Sequence, residues 1–180
     1  MDIQLHTQYD AQPTRVAAVL ASRDLAEKRA SALGLHDYSW NITHPHEDTT
    51  CTTTRLVLPT EVLPSQVQKF MSAGLTVTVT STIGTPNTHG SIIVTHTVNV
   101  EGAPVTAKAT ITLTNATHAA TANAHNSENA SSTTRAEVSA QFSVSIPFIG
   151  QRIEREAVTY IEQALREDTC LVNALLKREQ

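Results

Sequence analysis

The stretch PFIGQRIEREAVTYIEQALREDTCLVNALLK, Pro147 to Lys177, decides how the rest of the chain is read. At 100° per residue Ile153, Ala157, Val158, Ile161, Leu165, Val172, Leu175 and Leu176 fall on one stripe, and Arg152, Glu156, Gln163, Arg166 and Glu167 fall elsewhere. One face seeks burial and the other seeks water. At 1.5 Å per residue such a helix runs roughly 40 Å, so the preceding chain must supply an apolar surface long enough to receive it. Two acids interrupt the stripe. Asp168 falls near its middle and Glu154 near its edge, positions where a carboxylate requires a partner, water or a cavity.

Working back from the helix, the chain reads as the sheet that would hold it. Ala136, Val138, Ala140, Phe142, Val144 and Ile146 alternate with polar residues, a strand that leads through Pro147 to Gly150 into the helix. Ile92, Val94, His96, Val98 and Val100 share one face, as do Val105, Ala107, Ala109, Ile111 and Leu113 beyond Gly102, which predicts a hairpin. Leu75, Val77 and Val79 alternate with threonines in the same way. Thr49 to Leu58 predicts a further strand, although its run of threonines leaves open which face turns inward. Tyr38, Trp40 and Ile42 share an inward face, and His44-Pro45-His46-Glu47-Asp48 is expected as a turn. Ile3, Leu5, Thr7 and Tyr9 open the chain as a strand.

Helical signals interrupt this order twice. Pro13 suits the first turn of a helix ending near Ala21, and a second, Arg23 to Leu33, stops at Gly34. Pro64 to Met71 predicts a short helix, with Val67 and Phe70 three apart. The segment 115–132 is rich in Asn, Ala, Thr and Ser and is expected as a flexible loop. The sum is strand, two short helices, about six antiparallel strands and a long helix, an α+β architecture of about seven strands. A sheet of that size curls, and the gap beneath the helix is a natural cavity.

Composition narrows the function classes. A chain of 180 residues, 40% hydrophobic, supports one domain spanning 1–180. The formal charge of -4 and a pI near 6.0, with no basic run, give no nucleic-acid footprint. Cys51 and Cys170 have no disulfide or metal spacing, and no stretch approaches the ~18 apolar residues of a membrane span, so the expectation is a reduced, cytoplasmic protein. No basic segment followed by an apolar one opens the chain, and a secretory leader is not expected. Gly-x-Ser-x-Gly, Gly-rich phosphate and Cys-x-x-Cys motifs are missing, which leaves hydrolase, nucleotide and redox chemistry without support.

The order of elements, with Leu58-Pro59, the insert from Leu63-Pro64 to Phe70, and Ile146-Pro147-Phe148-Ile149-Gly150 followed by Ile153-Glu154, carries a resemblance. It resembles the helix-grip (SRPBCC) fold shared by START domains, birch-pollen-allergen proteins and bacterial polyketide cyclases and aromatases. Within that superfamily it is most similar to a bacterial family catalogued as domain of unknown function 2505. The resemblance implies a curved antiparallel sheet wrapped on the C-terminal helix, with a pocket for a lipid, steroid, polyketide or similar small hydrophobic or amphipathic molecule. It supplies no catalytic residues. The long polar segment after Leu113 and the 4% aromatic content depart from what the resemblance leads one to expect.

Several side chains are candidates to line that pocket. Asp168 is a polar anchor or an acid-base group, or a structural partner of Arg55 or another basic residue. His96 is a pocket hydrogen-bonder or a satisfied core histidine. Tyr9, Tyr38 and Trp40 are ligand-facing aromatics or core, and Phe142, Ile161 and Leu165 are apolar wall. Glu154 reads as a dipole-favoured acid in a first helical turn. The cluster from His44 to Asp48 has no distant ligand and no helical His-x-x-x-His spacing, so no metal is expected, nor any cofactor. Three functions follow: a non-catalytic binding protein, a cyclase or aromatase using Asp168, His96 or Tyr38, and a pocketless interaction module.

Overall fold

The computed structural model describes residues 1–60, 74–116, 133–145 and 150–178. Seven antiparallel strands form one sheet in the order β1-β7-β6-β5-β4-β3-β2. They are β1 (Asp2–Tyr9), β2 (Tyr38–His46), β3 (Thr49–Leu58), β4 (Leu75–Gly84), β5 (Ile92–Val100), β6 (Val105–Ala116) and β7 (Thr133–Val144). Helices α1 (Pro13–Leu20) and α2 (Arg23–Ala32) follow β1, and the 29-residue α3 (Gly150–Arg178) follows β7. From β2 to β7 each strand pairs with its neighbour in sequence, and β1 crosses over to pair with β7.

Local chemistry sets the helix ends. Ser22 caps α2 by accepting from the Leu25 N–H. At its other end Gly34 sits at φ 69°, the Leu35 N–H reaches the Ala30 carbonyl at 2.9 Å and the Gly34 N–H reaches that of Ser31 at 2.9 Å. That pair of bonds is a Schellman stop, closed by packing of Leu35 on Ala30. Gly150, where α3 begins, lies directly against the Val144 carbonyl, so a side chain there would collide with β7.

Helix α3 lies over β1 and β7 and against α1 and α2, not over the middle of the sheet. Polar bonds fix that placement along its length. The Val144 N–H donates to Glu154 at 2.9 Å, Thr7 and Thr169 share a bond of 3.1 Å, and the Asp10 N–H donates to Asn173 at 3.0 Å. Arg15 of α1 reaches the Leu176 carbonyl at 3.3 Å, satisfying an acceptor in the last turn. Buried Thr134 donates to the Ala11 carbonyl at 2.6 Å and pins the start of β7 to the entry of α1.

The main core occupies one end of the fold. Val16, Leu20, Leu25, Ile83, Ile92, Val94, Ile111, Leu113, Val172 and Leu176 form one buried cluster between α1, the last turns of α3 and the sheet. A smaller cluster, Ala30, Leu35 and Leu56 with Tyr38 and Leu58 against it, lies under α2.

Several boundaries differ from the sequence reading. Strand β2 continues through His44, Pro45 and His46, and only Glu47 and Asp48 turn. Pro45 is accommodated because β2 is an edge strand with an irregular register between Thr43 and His46. Strand β6 runs to Ala116, so Asn115 and Ala116 belong to the sheet: pairing with Thr134 and Thr133 outweighs their loop-like composition. Strand β7 accordingly starts at Thr133. The helix expected at Pro64–Met71 and segments 117–132 and 146–149 lie outside the described residues. No helix among the described residues is long and apolar enough to cross a membrane.

Candidate functional site

Directly opposed residues of antiparallel strands share a face, so the register places the inward side chains in rows across the sheet. One row, Ile83, Val94, Ile111 and Val138, is buried in the core. The next, Thr52, Ser81, His96, Ala109 and Ala140, is built of small residues around one imidazole. Beyond it come Trp40, Thr54, Val79, Val98, Ala107 and Phe142, all half-buried. On the facing side Ile153, Ala157, Val158, Ile161 and Leu165 of α3 are half-buried as well. Apolar side chains on both walls therefore keep residual exposure at this end, whereas Val172 and Leu176 at the other end are fully buried. Packing between the central strands and the first part of α3 is thus less complete than at the other end.

A polar group lies between the half-buried and the fully buried parts of α3. Arg29 of α2 donates to Asp168 twice, Nε to Oδ1 at 2.6 Å and Nη2 to Oδ2 at 2.7 Å, a bidentate pair. The two side chains are 32% and 23% exposed. Burial opposes the Arg29 charge, but the hydrogen bonds and field of Asp168 prevail and hold its pKa above the ordinary arginine value. His96 accepts or donates a 2.7 Å bond at Nδ1 with the hydroxyl of Ser81, its directly opposed neighbour on β4. Burial, reinforced by the positive Arg29 and partly offset by Asp168, lowers the His96 pKa from 6.5 to about 4. Tyr9, buried in the main core, is pushed up to about 12, first by burial and then by the negative Asp168. Three groups from a strand and two helices thus lie within one another's fields, with His96 reached from the sheet.

The structure brings Asp168, His96 and Tyr9 into one neighbourhood, and Ile161, Leu165, Trp40 and Phe142 are half-buried. Tyr38 packs against the cluster of Ala30, Leu35 and Leu56 beneath α2. Glu154 lies in the second turn of α3, where it bonds the Val144 amide instead of serving only the helix dipole. Arg55, the partner first considered for Asp168, points outward and lies 3.7 Å from Glu101. Sequence reasoning missed Arg29 and Ser81. Both had a signal: Arg29 shares the helical face of Leu25, Ala26 and Ala30, and Ser81 continues the inward alternation of Leu75, Val77 and Val79. Among the described residues no three His, Cys, Asp or Glu side chains gather as a metal site. An open depression of ≈ 590 Å³ is lined by polar residues such as Asn99, Lys108 and Gln141 together with Met1, Val98, Ala107 and Phe142.

A group held neutral by burial loses that advantage when the unfolded chain can protonate. His96 is unprotonated in the folded protein down to about pH 4 but titrates near 6.5 when unfolded, so the unfolded state binds the extra proton between those values. Stability is full above pH 6.5, falls as pH drops from 6.5 to about 4, and is flat below. Urea titrations at pH 7 and 5 should differ by up to about 2 kcal/mol from this group, and His96→Gln should remove that part of the difference.

The family model described as protein of unknown function, DUF2505, matches residues 4–176. The chain belongs to this family. Its solved-structure neighbours place the DUF2505 chain in the START-like, helix-grip fold. An aromatase/cyclase from Streptomyces sp. R1128 superimposes at a TM-score of 0.54 with 12% identity, over 99% of this chain and 94% of that one. A START superfamily protein from Mycobacterium smegmatis superimposes at 0.52 with 8% identity, over 99% of both chains. No curated protein sequence matches the DUF2505 chain. At these identities the likeness is one of fold.

Proposed function

We propose that this protein binds a small apolar or amphipathic molecule in a hollow between the sheet and the first part of α3. The observation that carries the reading is the contrast along α3: apolar side chains are half-buried from Ile153 to Leu165 and fully buried at Val172 and Leu176. Filling the hollow would remove those walls from water at ~25 cal/mol per Å². Small side chains at Ala109 and Ala140 leave space where larger ones would close it.

The cyclase or aromatase alternative needs an acid and a base poised near neutral pH. Asp168 spends both oxygens on Arg29, His96 is a weak base at about 4 and Tyr9 a weak acid at about 12. Those values favour holding a molecule over transforming one. The pocketless module is weighed by the same test as the binding reading.

That test is Ala109→Leu, assayed with Nile red, an uncharged dye. Binding by the wild type, with loss of binding and unchanged or raised thermal stability in the variant, supports the hollow. A variant destabilised by about 1–3 kcal/mol, the cost of overpacking a filled core, together with no dye binding by the wild type, rejects it. Mass spectrometry of an organic extract of the purified protein would then identify any stoichiometric guest.

A further inference from the structure

We propose that the molecule held in the hollow is an uncharged alcohol, its hydrocarbon body between Val79, Val98, Phe142 and Ile161 and its hydroxyl hydrogen-bonded to Nε2 of His96. This rests on the ligand-binding reading above and adds the chemistry of the head group.

Charge is the first argument. Arg29 and Asp168 satisfy each other through two bonds of 2.6 and 2.7 Å, so the polar end of the hollow presents no net charge. The carboxylate of Glu154, half-buried at the far end of the same wall, is engaged by the Val144 N–H and lies 4.0 Å from the Met1 amine. An incoming carboxylate would have to displace Asp168 from Arg29, and an ammonium would have to displace Arg29 from Asp168. In either case one ion is left behind without its partner, the costly arrangement in a partly desolvated site. An uncharged head group disturbs neither.

Geometry supplies the second. His96 stands in the row of small residues, with Ser81 on one side and Ala109 on the other, at the border between the packed core and the hollow. Its Nδ1 is bonded to Ser81, which is 4% exposed. Nε2 makes no hydrogen bond with any described residue. Low proton affinity keeps the ring neutral, so it offers one donor or one acceptor and no charge.

The Ser81 bond also explains why a hydroxyl fits best. If the Ser81 hydroxyl donates to Nδ1, Nε2 carries the proton and needs an acceptor; if Nδ1–H donates to Ser81, Nε2 is bare and needs a donor. A carbonyl satisfies only the first state. A hydroxyl satisfies both, and the ring need not commit to one tautomer.

The experiment is displacement of Nile red at pH 7.5 by three probes of equal chain length: 1-dodecanol, dodecanoate and dodecylammonium. Dodecanol is expected to displace the dye at a concentration at least about tenfold below either ion. His96→Leu should weaken dodecanol about tenfold while Nile red still binds, and Asp168→Asn, which leaves Arg29 without its anion, should raise dodecanoate affinity. Dodecanoate or dodecylammonium matching dodecanol in the wild type overturns the proposal, as does undiminished dodecanol binding by folded His96→Leu. Dye binding with displacement by none of the three rejects the alcohol and leaves the hollow standing. No dye binding at all rejects the binding function itself, and the alcohol with it.

Discussion

Leu176→Ala should cost about 3 kcal/mol of folding stability, whereas Ile161→Ala, the same kind of truncation four turns earlier on the same helical stripe, should cost about 1 kcal/mol or less. Leu176 is fully buried, packed in the cluster with Val16, Leu20, Leu113 and Val172. Removing its branch leaves a void that the surrounding strands and helices close only in part, and lost contact adds to lost transfer energy. Ile161 is only half-buried, so shortening it breaks fewer contacts, and on the binding reading it enlarges the proposed hollow. Urea unfolding of the two variants measures the difference. Equal costs would mean that the first part of α3 is as closely packed as the last, and the hollow would not exist. Helix propensity separates the two substitutions by only roughly a few tenths of a kcal/mol, well below the expected difference.

Asp168→Ala should destabilise the protein by about 2 kcal/mol, below the full penalty for stranding one half of a buried pair because both side chains keep some contact with water. The loss comes from Arg29, left on the inward face of α2 between Leu25 and Ala30 with its strongest partner removed. Arg29→Met in the same chain should recover most of it, since the charge that lacked a partner is then gone as well. The double variant is the informative one. If it is no more stable than Asp168→Ala alone, the cost arises from lost packing around residue 168 and the bidentate pair contributes little. The same pair joins α2 to α3 across 139 positions of sequence, so it also fixes how α2 docks on α3.

How much of this was readable beforehand depends on whether a residue's neighbours are near it in sequence. The stripe of α3 was readable because each residue's facing is set by its own helix: every apolar position assigned to the stripe is buried or half-buried, and Arg152, Glu156, Gln163, Arg166 and Glu167 are exposed. The alternation of β4, β5, β6 and β7 was readable for the same reason, and with it the inward placement of His96. Strand β3 was not, because threonine is equally at home on either face. Its inward set, Thr50, Thr52, Thr54, Leu56 and Leu58, follows from pairing with Ile83, Ser81, Val79, Val77 and Leu75 of β4. The extension of β6 to Ala116 depended likewise on a partner, since Asn115 and Ala116 become strand only where β7 supplies the opposing backbone.

The site divides along the same line. A carboxylate at position 168 on an apolar face had to find a partner, and the helical period alone required that much. Which cation answers it was decided by the docking of α2 against α3, a contact between segments far apart in the chain. The periodicities of strand and helix are local properties of the backbone and are carried by the sequence itself. The difference in burial along α3, the choice of Arg29 over Arg55, and the Ser81–His96 bond arise where separate elements meet, and only their packing in three dimensions brings those side chains together.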